Sequence, residues 1–313
     1  MKKLIEIVVP CYNEEECISL LYGAVDEVFK TIKNYEYSIM YVDDGSSDKT
    51  LTEIKKLAEN KGNEKIKYIS FARNFGKESA IYAGLKKSTG DYVVLMDADL
   101  QHPPRLIVQM IKEIEGGVDC CAARRVSRNG EPVIRSFFSS LFYHVINQVT
   151  AIQFRAGETD FRMMTRAVVE AIISLPERER FIKGIYSWVG FNTSWIEYEN
   201  VERAAGKTKW SFAGLMHYAS SGFIAFATTP LRGVIYLGFL IVIAAFLYAI
   251  FVIWGAIQHP EMRTGYSSLM IVLLFLGGVI ITILGVIGEY LARIYLEVKE
   301  RPLYIIKEDN VQK

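Results

Sequence analysis

The chain has 313 residues, of which 51% are hydrophobic and 23% charged, and this length suits one large or two ordinary domains. Its mean hydropathy of +0.18 is too high for a chain that is soluble along its whole length. The 36 basic and 35 acidic residues leave a net charge of only +1, which argues against a general binder of nucleic acids.

Residues 1–209 alternate between short apolar runs and segments of helical period. The apolar runs, which are rich in β-branched residues, predict strands at 5–9, 38–42, 66–71 and 92–96. The segments between them predict helices over 14–32, 49–60 and 77–87. This alternation predicts an α/β fold with a doubly wound, mostly parallel sheet.

A polar loop follows each of the four predicted strands. The loops read PCYNEE at 10–15, DDGSSD at 43–48, ARNFGK at 72–77 and DADLQ at 97–101. Ligands of doubly wound sheets bind beyond the carboxyl ends of the strands. We therefore expect the four loops to converge on one edge of the sheet and to form the ligand site.

Two adjacent carboxylates, Asp43 and Asp44, end the second predicted strand. Such a pair repels itself unless hydrogen-bond donors or a ligand compensate the charge. Ribose hydroxyls or a base N–H are suitable donors, so the pair favours a nucleotide-binding role over an ordinary turn.

The fourth loop predicts a metal site. Asp97 and Asp99 are spaced so that both carboxylates can reach one hard divalent cation, and Gln101 can add a neutral oxygen. The sequence contains no G-x4-G-K-[ST] string and no G-x-G-x-x-G after the first strand. A nucleotide diphosphate held through a metal is the interpretation that remains.

Two long apolar runs near the C-terminus predict membrane helices. Residues 231–257 contain Arg232 as their only charge, and residues 269–287 contain none. Each is long enough to cross a hydrocarbon core of about 30 Å. Basic residues flank the outer ends of the pair, so the positive-inside rule predicts that both termini are cytoplasmic.

Amphipathic stretches at 133–149 and 210–226 predict helices that either lie on the membrane surface or pack in a core.

Six motifs, taken in chain order, resemble those of the inverting GT-A glycosyltransferases of family two. They read VPCYNEE, VDDGSSD, NFGK, DADLQ, TDFR and RAAGKTKW. The resemblance extends over nearly the whole chain. It is greatest to the branch that transfers a sugar from a nucleotide donor to a polyprenyl phosphate, which includes bactoprenol glucosyltransferases and dolichol-phosphate mannose synthases.

The resemblance implies a role for each of a set of residues. The nucleotide-sugar pocket would comprise Pro10, Tyr12, Asn13, Glu14, Asp43, Asp44, Lys77, Asp97, Ala98 and Arg124. Asp97, Asp99 and Gln101 would hold Mg²⁺ or Mn²⁺, and Asp160 of TDFR would be the catalytic carboxylate. Arg203 and Lys209 would bind the lipid phosphate or the leaving diphosphate. On the residues alone, Asp160 could instead be a strand cap or the ion-pair partner of Arg162.

The resemblance and the two apolar runs imply a multi-pass membrane enzyme with its catalytic domain in the cytoplasm. Its regions would be a GT-A domain at 1–209, an interfacial helix at 210–229, a transmembrane hairpin at 230–292 and a cytoplasmic tail at 293–313. The expected substrates are UDP-glucose and undecaprenyl phosphate, although N-acetylglucosamine or mannose could replace glucose. Two functions of a different class, a processive polysaccharide synthase and a non-catalytic membrane scaffold, are less favoured, and homo-oligomerisation is left open.

The four cysteines and the N-terminus bear on the cellular compartment. Cys11, Cys17, Cys120 and Cys121 have no CxxC spacing, so we predict reduced core thiols. Acidic residues from Glu6 onwards interrupt any apolar N-terminal segment, and we expect no cleavable signal peptide.

Overall fold

The computed structural model of the chain describes residues 2–126, 157–175, 177–178, 180–199, 229–258 and 265–311. Several predicted features lie outside the described residues. These are the amphipathic stretches at 133–149 and 210–226 and the predicted phosphate-binding residues Arg203 and Lys209.

The described residues form eight strands and eight helices. The strands are β1 (Lys3–Cys11), β2 (Tyr35–Asp43), β3 (Ile66–Phe71), β4 (Tyr92–Leu95), β5 (Cys120–Arg125), β6 (Glu158–Thr165), β7 (Thr193–Tyr198) and β8 (Ile306–Asp309). The helices are α1 (Ile18–Thr31), α2 (Thr50–Lys61), α3 (Lys77–Lys87), α4 (Leu106–Glu115), α5 (Arg166–Ser174), α6 (Ile182–Trp188), α7 (Thr229–Gln258) and α8 (Tyr266–Val298). The predicted alternation of strands and helices is confirmed by β1 to β4.

All eight strands belong to one sheet with the order β7-β5-β6-β4-β1-β2-β3-β8. The four strands β3, β2, β1 and β4 pair in parallel, and β5 pairs in parallel with β7. Two strands run the other way, because β6 is antiparallel to β4 and β5 while β8 is antiparallel to β3. The sheet is therefore mixed, with a parallel centre that matches the prediction.

Helices cover both faces of the sheet. One apolar cluster joins β1 and β2 to α1, α2 and α4, and a second joins the opposite face to α3, α5 and α6. On β1, Ile7 and Val9 belong to the first cluster and Val8 to the second, and all three are fully buried. A strand buried on both faces reads as a continuous apolar run. All four cysteines are buried, and none forms a disulfide.

Helix α1 begins at Ile18, four residues later than the periodicity predicts. The loop before it is bonded to the loop after β2 and to the start of α2, since the Asn13 amide donates to Ser46 Oγ (2.9 Å) and the Glu14 amide to Thr50 Oγ1 (2.8 Å). Asn13 also has a left-handed φ of 53°. These long-range bonds hold the segment in a non-helical conformation.

Helices α7 and α8 expose large apolar side chains, such as Phe239, Phe251 and Ile281. Within the described residues, one helical segment is long and apolar enough to cross a membrane, namely Phe275–Val298 with 24 residues and a mean hydropathy of 2.0. Tyr236–Tyr248 in α7 is a shorter apolar segment. Two crossings therefore stay a prediction.

The predicted C-terminal tail at 293–313 contains structure that the sequence pattern does not indicate. Helix α8 continues to Val298, and the chain then returns to the sheet as β8. Four residues are too few for a recognisable period. The strand covers the edge of β3, which would otherwise present unpaired backbone groups.

Close packing of α3 on the sheet generates a stability prediction. A Cβ at Gly84 would clash with Val8 Cγ1 and lie 3.1 Å from Val42 Cγ2. We expect Gly84→Ala to lower the free energy of unfolding by about 1–3 kcal/mol through overpacking. The measurement is the midpoint of thermal unfolding of the full chain in detergent.

The matched control is Gly23→Ala in α1, where an added Cβ meets nothing within 4 Å. Removing a helical glycine at an open position stabilises by up to about 1 kcal/mol. Equal midpoints for the two variants would contradict the packing described for α3.

Candidate active site

The four polar loops meet at the carboxyl edge of the parallel strands, as predicted. The loop after β1 contacts the loop after β2, where the Ser47 amide donates to Asn13 Oδ1 (2.8 Å). The loop after β2 contacts the loop after β3, where Asp44 accepts from the amides of Phe75 (2.6 Å) and Gly76 (2.9 Å). Backbone and side-chain bonds thus fix the loops to one another.

Asp43 and Asp44 obtain their hydrogen-bond donors from the protein. Asp43 accepts from the Ser46 amide (3.1 Å) and from Ser70 Oγ (2.8 Å), and both carboxylates are buried. Burial raises the pKa of Asp44, although the two amides of the next loop oppose the shift. The charges are compensated within the fold, so repulsion alone does not require a ligand here. A contact of this pair with a nucleotide stays a prediction.

Lys77 joins the predicted metal site to the predicted catalytic carboxylate. Its Nζ lies 2.7 Å from Asp97 Oδ1 and 2.7 Å from Asp160 Oδ2. Burial alone would lower the pKa of Lys77, but the charges of Asp160 and Asp97 outweigh it and raise that pKa well above its usual value. The side chain of Lys77 is still 41% exposed, so this triad lies in an open cleft.

Asp160 lies within β6 and is ionised. Burial alone would raise its pKa, but the positive charges of Lys77 and Lys183 outweigh that effect and hold the pKa below its usual range. The sequence also offered Arg162 as an ion-pair partner of Asp160. The Arg162 guanidinium instead pairs with Glu158, with 2.8 Å between Nη2 and Oε1, and both of those side chains are buried. Asp160 is therefore neither a strand cap nor the partner of Arg162 in this structure.

The loop after β4 contains the three residues predicted to hold a divalent cation. Asp97 and Asp99 flank the buried Ala98, and the Gln101 amide donates to Asp99 Oδ1 (3.1 Å). In the described part of the chain, no group of three or more His, Cys, Asp or Glu could hold a metal ion. Mg²⁺ is commonly bound by one or two carboxylates together with substrate phosphates. Two carboxylates and one amide oxygen fit that mode.

His102 belongs to the same region, and the sequence reasoning missed it. Its ring is buried and stacks on Phe161 at 5.4 Å, with the ring of Tyr198 edge-on at 6.0 Å. Burial lowers its pKa although Asp97 and Asp99 oppose the shift, so the imidazole is neutral at pH 7. Its position directly after DADLQ was a signal that could have identified it.

Two further titratable groups, Glu78 of α3 and Lys183 of α6, lie near Asp160. Burial, and then the charge of Asp160, raise the pKa of Glu78 to about 8. Lys183 of α6 contributes positive charge at Asp160, and its Nζ donates to the Glu158 carbonyl (3.1 Å). Glu78 directly follows the NFGK motif, which was a signal for it, whereas Lys183 has no motif beside it and is brought to β6 only by the tertiary structure.

The remaining predicted residues are placed as follows. Pro10 is buried at the end of β1, and Tyr12 is exposed in the loop that follows. Arg124 lies on β5, which β6 separates from β4 in the sheet, and its guanidinium is 3.4 Å from Glu197 Oε1. The structure thus brings Asp97 and Asp160 together through Lys77 and leaves Arg124 further along the sheet.

Comparisons with known proteins follow the same division of the chain. Residues 6–173 match the family described as glycosyl transferase family 2, and residues 229–294 match the GtrB C-terminal hairpin. The protein CsbB of Bacillus subtilis is 43% identical over 98% of this chain and 92% of its own. The bactoprenol glucosyl transferase of Shigella phage SfII is 41% identical over 98% of both chains.

Among solved structures, the chain is similar to glucosyl-3-phosphoglycerate synthase from Mycobacterium tuberculosis. The TM-score is 0.45 and the identity 16%, over 70% of this chain and 76% of that one. At this TM-score and identity, no function is transferred from that structure to this chain. The family match covers more than half of the chain, and the relatives match nearly all of it. The chain therefore belongs to glycosyl transferase family 2, with a GT-A catalytic domain and a GtrB C-terminal hairpin.

Proposed function

We propose that this protein transfers glucose from UDP-glucose to undecaprenyl phosphate or a related polyprenyl phosphate, with inversion at the anomeric carbon. The observation that carries the proposal is the 41% identity to the bactoprenol glucosyl transferase of Shigella phage SfII, which extends over 98% of both chains. The product would serve cell-envelope glycan modification. The arrangement of charges in the cleft supports the same reaction.

The donor would bind across the loops at the carboxyl edge of the sheet. Tyr12 and Glu14 lie in the first of these loops, Asp44 lies at the start of the second, and Lys77 ends the third. The carboxylates are suited to ribose and base donors, and the ammonium of Lys77 is suited to a diphosphate. Binding requires little rearrangement of the first three loops, because hydrogen bonds already fix them to one another.

Departure of the nucleoside diphosphate builds negative charge on its oxygens while the sugar becomes oxocarbenium-like. Lys77 is held at the junction of the metal loop and β6, where its positive charge would stabilise the negative charge that develops on the diphosphate. A divalent cation held by Asp97, Asp99 and Gln101 would supply further charge neutralisation at the diphosphate.

Asp160 would act on the opposite side of the sugar–phosphate junction. The acceptor is a phosphate monoester with a second pKa of about 6, so it is mostly a dianion at neutral pH and needs little deprotonation. Because Lys77 and Lys183 keep Asp160 ionised, its carboxylate can stabilise positive charge on the sugar or accept a residual proton.

The sheet topology supports a two-helix hairpin with the active site in the cytoplasm. Strand β8 follows α8 and pairs with β3 of the domain that precedes α7. Both ends of the hairpin are therefore on the same side of any membrane, and the number of crossings between them is even. The basic flanks of the hairpin favour the cytoplasm as that side.

The transfer reaction is tested with the purified full chain in nanodiscs, supplied with radiolabelled nucleotide sugars and undecaprenyl phosphate. We expect a glucosyl lipid from UDP-glucose, and no labelled lipid when the acceptor is omitted. A labelled lipid from UDP-N-acetylglucosamine or GDP-mannose alone would replace glucose by that sugar. Hydrolysis without any lipid product would contradict the proposed acceptor.

Asp160→Asn separates donor binding from chemistry. We expect calorimetric affinity for UDP-glucose within about twofold of wild type and kcat lower by roughly 10²–10³-fold, because the lost carboxylate charge acts on the transition state. In contrast, Arg203→Ala or Lys209→Ala should raise the apparent KM for the lipid phosphate. Loss of donor binding in Asp160→Asn would place this residue in the nucleotide pocket instead.

The metal site is tested by binding rather than turnover. In the presence of UDP, Asp99→Asn should weaken Mn²⁺ binding by at least about tenfold, measured by electron paramagnetic resonance, because a charged oxygen ligand is lost. The control is Asp91→Asn, since Asp91 accepts from the Leu4 amide at the opposite end of the sheet. Unchanged affinity in Asp99→Asn would remove this residue from the metal site.

Membrane topology is tested by labelling intact cells with an impermeant thiol reagent. We expect Gly265→Cys, in the link between the helices, to react from outside, and Gln312→Cys to react only after permeabilisation. The native cysteines are all buried, which keeps the background low. The opposite pattern would put the catalytic domain outside the cell and exclude cytosolic nucleotide sugars as donors.

A further inference from the structure

The chain that leaves the membrane hairpin lies against the loop that carries Lys77. We call residues 302–310 the C-terminal strap and residues 72–77 the donor loop. Within the strap, β8 pairs with the whole second half of β3, with Ser70 opposite Glu308 and Phe71 opposite Ile306. The contact continues past the end of β3, because the Ala72 amide donates to the Ile305 carbonyl (2.9 Å). The strap therefore binds the backbone at the start of the donor loop.

Aromatic rings extend this contact along the loop. Tyr304 stacks on Phe71 with ring centroids 4.9 Å apart and planes at 13°. Phe71 in turn meets Phe75 edge-on at 5.8 Å. Tyr304 also lies edge-on to Tyr82 of α3 at 6.4 Å. The ring of Tyr304 thus contacts the elements on both sides of the donor loop, and through Phe71 it reaches the residue two positions before Lys77.

The opposite end of the loop is held at the active site. The amides of Phe75 and Gly76 donate to the two oxygens of Asp44, and Lys77 begins α3. Gly76 has a φ of 96°, which is a conformation that residues with a Cβ rarely adopt. A loop with such a bend depends on its surroundings for its conformation, and those surroundings include the strap at one end and Asp44 at the other.

The strap is itself anchored at both ends. Near its C-terminus, Asn310 accepts from the Tyr68 amide (2.6 Å) and donates to the Ile66 carbonyl (3.0 Å). Just before its start, Glu297 of α8 accepts from the Arg178 amide (2.8 Å) of the catalytic domain. The strap is therefore a short, fixed connection between the end of α8 and the donor loop.

We propose that Tyr304 is a positioning residue: its ring holds the donor loop in the conformation in which Lys77 reaches Asp97 and Asp160. It touches none of these groups and acts through Phe71, Phe75 and the backbone at Ala72. Displacement of α8 relative to the sheet would be transmitted to Lys77 by the same contacts. The proposal uses the proposed function only in taking the Lys77 cleft as the donor site.

The test compares Tyr304→Ala, Tyr304→Phe and a matched control, Tyr295→Ala, in the full chain in nanodiscs. Tyr295 is an exposed tyrosine of α8, so its removal deletes the same ring without touching the loop. Hydrogen exchange of peptides covering 72–77 is measured by mass spectrometry, together with kcat and KM for UDP-glucose.

We expect Tyr304→Ala to speed exchange in the donor loop, to raise KM by about fivefold to tenfold because ring stacking and pre-organisation are lost, and to lower kcat because Lys77 is displaced from Asp97 and Asp160. Exchange in β1 and β4 should not change. Tyr304→Phe should restore the wild-type values, since stacking needs only the ring, and Tyr295→Ala should match wild type.

Unchanged exchange in the donor loop of a folded Tyr304→Ala would overturn the proposal. Equal acceleration throughout the sheet would also overturn it, because it would show a general structural role. If Tyr304→Ala does not fold, Asn310→Ala loosens the strap from its other end and is judged by the same criteria. Exchange is measured without substrate, so it decides the positioning role even if UDP-glucose proves not to be the donor.

Discussion

The ammonium of Lys77 between Asp97 and Asp160 is the interaction on which the candidate site depends. It places one positive charge 2.7 Å from each of two carboxylates that come from different parts of the chain. Removing it would leave two acids in a partly desolvated cleft without compensation, a situation that is strongly unfavourable. The same charge keeps Asp160 ionised. The position of Lys77 therefore sets both the electrostatics of the cleft and the protonation state of its central acid.

The surrounding structure fixes where that charge lies. Asp44 binds the two amides directly before Lys77, and the C-terminal strap binds the start of the same loop. The loops after β1 and β2 are bonded to each other in turn. Hydrogen bonds that hold loops before a ligand arrives reduce the ordering cost of binding. The cleft is thus largely pre-organised before any ligand binds.

The return of the chain to the sheet after α8 connects the C-terminal hairpin, α7 and α8, to this cleft. Because β8 closes the edge of β3, one strand protects an exposed sheet edge and also fixes the end of the hairpin beside the catalytic domain. A lipid phosphate is presented at the membrane surface, so an enzyme that uses it benefits from a short connection between the hairpin and the active site. The Arg178–Glu297 contact adds a second connection close to the first.

The sequence alone determined the α/β alternation, the four polar loops at one edge, the DADLQ and TDFR motifs and the apolar C-terminal runs. These features are local: a period of two or 3.6, or a short string after a strand, is visible without knowing what packs against it.

The tertiary structure decided what has no local signal. It paired Lys77 with Asp160, 83 positions away, brought Lys183 and Glu78 beside that acid, and placed β8 against β3. It also moved the start of α1 to Ile18, because the side chains of Ser46 and Thr50 accept from the amides of the segment before the helix. Partner choice between distant segments depends on how helices pack on the sheet, and no period in the sequence specifies that packing.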